Sequence, residues 1–261
     1  MKDNKKKKTK SFKDRCKSHR LRVLEISQKV PAIHIGGSFS CCEIIDTIYY
    51  NFIIKNNSKF ILSKGHAAIM QYVILESLGI IKKKDLENYC SKKGSLGVHP
   101  EIFTSGIEAS TGSLGHGLAI GAGMAIANPK KDIFVVISDG ELMEGSIWES
   151  ILFISSNKIN NIKLIIDNNN LQSATRATDT HPSLYPIKEK LKSFGWDAKD
   201  CDGHNSKKLF KKLNIKTKKK PFALIAKTIK GHPISFMKNV PKWHYRSPNQ
   251  EELKKAIEEL K

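Results

Sequence analysis

Ile133-Phe134-Val135-Val136-Ile137-Ser138-Asp139-Gly140-Glu141 opens the stretch, running on to Ser173, whose reading decides the fold. The first five residues are apolar and mostly β-branched, and a turn follows them at once, the pattern of a buried central strand. The segment to Asn157 has helical spacing. A second apolar run, Ile162-Lys163-Leu164-Ile165-Ile166, then ends in Asp167-Asn168-Asn169-Asn170-Leu171. Two such runs around one helix make a βαβ unit, so the two strands are parallel and Asp139 and Asn169 fall at their carboxyl ends. Ligands of doubly wound sheets bind at that edge.

Asp139 supplies a carboxylate, Asn169 an amide oxygen, and the turn after Asn169 can offer the main-chain carbonyl of Leu171. Hard oxygen donors, too few to cage an ion alone, suit a Mg²⁺ that also holds phosphate oxygens of a cofactor and a water. The alternative is that Asp-Gly and Asn-Asn are ordinary turn residues.

The 261 residues are enough for one large α/β core, and a single domain over 13–261 is expected. Lys and Arg total 45 against 25 Asp and Glu, a formal charge of +20. That admits nucleic acid, anionic surfaces or phosphorylated substrates. The lysines are spread along the whole chain without an aromatic-studded basic segment, which argues against nucleic acid as the partner. Cys16, Cys41, Cys42, Cys90 and Cys201 form no C-x-x-C or zinc pattern, so free thiols in a reducing cytoplasm are expected. Residues 1–12 read as a disordered Lys-rich tail rather than a signal peptide, and no apolar run is long enough to span a membrane.

Taken in order, Lys13 to Val30 is a helix with Leu24 and Ile26 inward. A Gly-rich loop, Pro31 to Ser38, should carry His34, and Ser40-x-x-Glu43 has capping-box spacing for a second helix. Phe60 to Leu62 is a short strand whose end, Ser63-Lys64-Gly65-His66, leads into a helix. Pro100 forces the chain extended at His99. Thr111-Gly112-Ser113-Leu114-Gly115-His116-Gly117 then enters a small-residue helix reaching Ala127, where amides can face an anion. Beyond the βαβ unit come helices at Tyr185–Phe194 and Lys207–Leu213, a minor strand at Trp196–Ala198, an apolar strand at Pro221–Ala226 and a last helix from Asn249 to Leu260. Alternating strands and helices give an α/β protein with a mainly parallel sheet and helices on both faces.

His34, His66, His99 and His116 each adjoin Gly or Pro rather than sitting on an apolar helix face. A solvated loop histidine is the bland reading, and no spacing supports zinc. Gathered around a polar pocket, they would suit proton transfer and the holding of hydroxyl or phosphate oxygens. Gly115-x-Gly117-x-x-x-Gly121 imitates a dinucleotide fingerprint, but Ser105 to Ser110 is a poor upstream strand. A Rossmann-type nucleotide-binding protein stays as the distant alternative.

Six motifs in order now resemble the diphosphate-binding, amino-terminal half of the transketolase family. They are His34-Ile35-Gly36-Gly37-Ser38, Leu62-Ser63-Lys64-Gly65-His66-Ala67, His99-Pro100-Glu101, Ser110 to Gly115, Asp139-Gly140-Glu141 and Asp167-Asn168-Asn169. The resemblance implies a thiamine diphosphate-binding fold and the transfer of a two-carbon ketol unit from a ketose phosphate to an aldose phosphate. It makes Asp139, Asn169 and the Leu171 carbonyl the Mg²⁺ ligands. His66, Gly112, Ser113, Leu114, Gly140, Glu141 and Asn169 become cofactor-binding residues. His34, His99 and His244 become catalytic, with Glu144 an acid at a subunit interface. The ending, Lys227-Thr228-Ile229-Lys230-Gly231-His232 and Trp243-His244, is similar to that of split enzymes, although a Trp-His pair can equally be packing. The activating glutamate of the family lies in another domain, so an α₂β₂ assembly with a separately encoded carboxyl-terminal subunit is expected. Ser138, Ala32-Ile33, Pro233 and Tyr245 depart from the family pattern. They leave room for a specialised sugar pathway or another thiamine enzyme of the deoxyxylulose phosphate synthase kind.

Overall fold

The computed structural model describes residues 11–173, 175–216 and 219–261. Ser11 caps the first helix by accepting from the Asp14 amide, so regular structure begins at the end of the stretch expected to be tail; Met1 to Lys10 lie outside the described residues. The helices are α1 (Phe12–Ser27), α2 (Ile35–Ser40), α3 (Cys42–Ile48), α4 (Ile54–Asn56), α5 (Ala68–Ser77), α6 (Lys83–Glu87), α7 (Gly117–Ala127), α8 (Gly145–Ser156), α9 (Ala177–Thr180), α10 (Ile187–Ser193), α11 (Ser206–Leu213) and α12 (Gln250–Leu260). The strands are β1 (Lys59–Leu62), β2 (Ile133–Ser138), β3 (Ile162–Asn168), β4 (Leu171–Gln172), β5 (Thr175–Arg176), β6 (Asp197–Asp202) and β7 (Phe222–Lys227).

Five strands form one parallel sheet in the order β1-β2-β3-β7-β6, and β4 and β5 make a small antiparallel hairpin. The βαβ reading holds, with Ser138 of β2 opposite Asp167 of β3. Alternation along the strands sends Phe134 and Val136 to one face with α1, α3 and α5, and Ile133, Val135 and Ile137 to the other with α7 and α8. The sheet therefore lies between two apolar layers, as near-continuous apolar strands require. Lys163 is the polar exception. Its ammonium bonds Asp132 at 2.8 Å and the Leu213 carbonyl at 2.9 Å.

Three local expectations change. His34 to Ser38 is not a loop but the start of α2, because Gly36 is needed for contact rather than for a turn. A Cβ there would come within 2.8 Å of the Trp243 carbonyl oxygen. The Ser40/Glu43 capping box does not form: Ser40 bonds Asp167 at 2.6 Å and Glu43 pairs with Arg20 at 2.6 Å. The minor strand lengthens to Asp197–Asp202, whose polar alternation suits an edge. Among the described residues no strand stands between β1 and β2 to precede the glycine loop, which removes the dinucleotide fingerprint.

Candidate active site

The carboxyl ends of β1, β2, β3 and β7 surround a cavity of about 270 Å³. Each wall follows from the chain leaving the sheet. The turn after β1 brings Lys64 and His66, and the turn after β2 brings Ser138 and Gly140. Asn169, Leu171 and Gln172 come from the turn after β3, and Lys230 follows β7. His34 at the start of α2, His99, Gly112, Leu114 and His244 complete the wall. Gly112 has φ +149°, and a Cβ on it would meet the His99 ring at 2.7 Å, so only glycine lets that imidazole lie against the backbone.

Three histidines converge. The rings of His34 and His66 are 5.3 Å apart, those of His34 and His244 5.1 Å, and those of His66 and His244 5.8 Å. Burial, with His99 and two lysines adding to it, pulls His34 down to about 4, and burial together with Lys230 pulls His244 down to about 3. Burial and Lys64 also hold His66 well below the ordinary histidine value. All three are neutral near pH 7, able to accept or donate but bringing no charge. The Nδ1 of His34 is buried without a partner among the described residues. Trp243 of the Trp-His pair does pack, donating to the Phe236 carbonyl at 3.1 Å, while His244 beside it faces the cavity.

Beneath the histidines lies a charge network that sequence reasoning missed. Lys64, 1% exposed, bonds Asp167 at 2.5 Å and the Gly37 carbonyl at 3.0 Å. Asp167 also accepts from Ser40 and Thr228, so one carboxylate ties together α2, the end of β1 and the segment after β7. Burial alone would raise Asp167, but Lys64 outweighs it and holds the group ionised. Lys230 is 2% exposed and donates to His244 Nδ1 at 2.9 Å and to the Leu171 carbonyl at 3.4 Å. It has no carboxylate within ion-pair distance among the described residues, and burial with Lys64 nearby lowers it to about 8. The only sequence signal for either lysine was its place inside a motif noted for its histidine or glycine.

Asp139 is fully buried between cavity-lining Ser138 and Gly140. Its carboxylate accepts from the Asn170 amide at 2.5 Å, the Gly140 amide at 3.0 Å and the Tyr185 hydroxyl at 3.3 Å. Burial, then the nearby Asp167 carboxylate, raises it to about 6, a shift that a cation beside it would reverse. Asn169 Oδ1 accepts from the Leu171 amide at 3.0 Å, closing the turn that presents both residues to the cavity. The donors are all hard oxygens, and they fit a divalent cation.

The remaining expected residues stand elsewhere. Glu141 is buried below the cavity, accepting from Ser63 and from the Gly115 amide at 3.0 Å, and holds the glycine loop to the strand ends. Ser113 is exposed in that loop, and Glu144 is exposed at the start of α8. His116 is likewise exposed.

Residues 13–260 match the family described as the transketolase, thiamine diphosphate binding domain. The chain belongs to the transketolase family. One of the two subunits of that name for apulose-4-phosphate transketolase, from Phocaeicola vulgatus, is 35% identical over 257 residues, which cover 93% of this chain and 91% of that one. Its namesake from Actinobacillus succinogenes is also 35% identical, over 95% of each. Human transketolase is 31% identical, and here the match covers 93% of this chain but 41% of the relative. The crystal structure of Campylobacter jejuni transketolase superposes with a TM-score of 0.88 at 26% identity, covering 95% of this chain and 42% of that one. Transketolase membership thus comes with nearly the full length of the apulose-4-phosphate transketolase subunits and about two-fifths of the longer transketolases.

Proposed function

We propose that this chain is the amino-terminal subunit of a thiamine diphosphate-dependent transketolase that moves a two-carbon ketol unit from a ketose phosphate to an aldose phosphate. The observation that carries this reading is the pair of buried lysines at a parallel-sheet edge, one of them without a carboxylate at ion-pair distance among the described residues, beneath three neutral histidines. Positive charge at the floor suits a diphosphate, and neutral imidazoles at the wall suit sugar hydroxyls. Asp139, the Asn169 amide oxygen and the Leu171 carbonyl would hold Mg²⁺, Gly140 would let the backbone approach the phosphates, and His66, Gly112 and Leu114 would line the cofactor's path.

Thiamine diphosphate supplies the carbon nucleophile and stores the transferred fragment. The protein's own work is to anchor the phosphates through Lys64 and Lys230, to orient hydroxyls through His34 and His99, and to relay a proton at His244 Nε2. Because Lys230 donates to Nδ1, that ring presents the other nitrogen to the cavity for proton exchange.

A second, complementary chain belongs to this reading. Both apulose-4-phosphate transketolase relatives are named as subunits, which implies one. Ile120 and Ile126 of α7 and Leu152 and Phe153 of α8, two helices packed on each other, stay exposed and offer an apolar face to a chain carrying the pyrimidine-binding half. Glu144 at the start of α8 would lie at that junction. Five free thiols suit a reducing cytoplasm, and no helix among the described residues is long and apolar enough to cross a membrane.

The metal assignment is tested by Asp139→Ala. With the partner present, the variant should lose Mg²⁺-dependent retention of thiamine diphosphate, read by equilibrium dialysis, while its circular dichroism stays unchanged. Retention equal to the unaltered protein would take Asp139 out of the metal site. For the reaction, ketose phosphates, including the apulose phosphate named for those two relatives, are offered as donors with pyruvate as control. Transfer from pyruvate alone would replace the transketolase reading with that of a synthase.

A further inference from the structure

Tyr245 follows His244 at the cavity wall, and its ring centroid lies 4.6 Å from that of His34 at an interplanar angle of 41°. Both neighbours of the pair are held. Trp243, one position before His244, is buried with its indole bonded to Phe236, and its carbonyl oxygen lies against Gly36 of α2. On the other side, Arg246 donates its amide to the Ile33 carbonyl at 3.1 Å, and its guanidinium grips Glu252 with two bonds of 3.0 and 2.7 Å while lying over Trp243. The backbone is thus pinned on each side of Tyr245. Yet the side chain is 53% exposed, and its hydroxyl has no hydrogen-bond partner among the described residues. A ring fixed by its backbone, touching a cavity-lining histidine on one side and open on the other, has a free aromatic face where charge is absent: the lysines sit at the floor, and the adjoining imidazoles are neutral.

We infer that Tyr245 is a specificity-determining residue of the sugar path: its ring takes the apolar face of the substrate's carbon skeleton and narrows the mouth beside His34, so that short acceptor aldehydes are favoured over longer ones. This rests on the transketolase reading above. Aromatic rings bind the C–H face of a polyol without demanding a charge, and a ring that occupies the mouth excludes carbon atoms by volume. Selectivity therefore resides in the ring rather than in the phenol oxygen.

The test uses the complex of this chain with its partner, loaded with thiamine diphosphate and Mg²⁺, one ketose phosphate donor, and a triose phosphate or an aldopentose phosphate as acceptor. In Tyr245→Gly the ratio of kcat/KM for the pentose acceptor over the triose acceptor should rise about tenfold, the scale of one apolar pocket contact. Tyr245→Phe, which keeps the ring, should retain the original ratio. A ratio in Tyr245→Gly within about twofold of the unaltered complex overturns the inference. So does a Tyr245→Phe ratio displaced as far as that of the glycine variant. Absence of ketol transfer by the unaltered complex would overturn the transketolase reading and this inference with it, whereas transfer with unchanged selectivity overturns the inference alone.

Discussion

Lys64 sets the charge balance of the site, because the buried Asp167 carboxylate depends on it. The pair is 1% and 0% exposed and 2.5 Å apart, so removing one partner leaves an unneutralised charge in a medium that solvates it poorly. Lys64→Met keeps the apolar stem and removes the ammonium. It should cost about 3–5 kcal/mol of unfolding free energy in urea, and adding Asp167→Asn should recover part of that loss, because the two changes share one interaction. Equal, additive losses would show that the pair is not coupled. At this scale the sequence was legible where a residue type is scarce in its surroundings. The histidines beside Gly or Pro stood out, and His34, His66, His99 and His244 do line one cavity. Lys64 and Lys230 did not stand out, since one lysine in a chain with 45 basic residues carries no signal until burial is known.

Among elements, the central βαβ unit was read correctly because two wholly apolar runs around a helical period have few other solutions. The entry of the chain into α2 was not, for Gly36 serves helix contact with the Trp243 carbonyl rather than a turn, a purpose that spacing cannot reveal. The same is true of Glu43, whose capping role is displaced by a long-range one. It takes two bonds from Arg20 of α1, at 2.6 and 2.7 Å, and a third from His204 Nδ1 at 3.1 Å. His204 Nε2 in turn accepts the Ile229 amide at 2.9 Å, pinning the segment that delivers Lys230. Burial would raise Glu43, but Arg20 and then His204 outweigh it and hold the acid down to about 2 against an ordinary 4.5. An acid depressed on folding adds stability above its unfolded value and loses it as pH falls towards the folded one. The unaltered chain should therefore lose about 3 kcal/mol between pH 4.5 and 2 that Glu43→Gln, already weaker at pH 7, does not lose. Urea titrations at several pH values would show the two curves converging in acid; parallel curves would detach Glu43 from the acid response.

For the molecule as a whole, the sheet places its chemistry at one edge and leaves an apolar surface elsewhere. On α8, Ile147, Ile151 and Ile154 are buried against the sheet, while Leu152 is 54% and Phe153 48% exposed. With Ile126 of α7 at 57%, these side chains have no reason to face water in a monomer with a net charge of +20 and ample polar residues to cover them. The sequence showed that α8 was amphipathic but not that its second face was also partly apolar, because that face becomes visible only once the first has been assigned to the sheet. Leu152→Asp combined with Phe153→Asp places two carboxylates on the outer face without touching the three buried isoleucines. Thermal unfolding of the isolated chain should then be nearly unchanged. Affinity for the pyrimidine-binding partner, measured by sedimentation, should fall at least about 100-fold, the scale of two central interface anchors lost together. Ketol transfer should fall with it and return when partner is added in excess, since the cavity itself is intact. Assembly at unaltered affinity would move the contact between the two chains off α8 and leave its apolar face to be explained by a second copy of this chain, a state the same sedimentation runs would reveal.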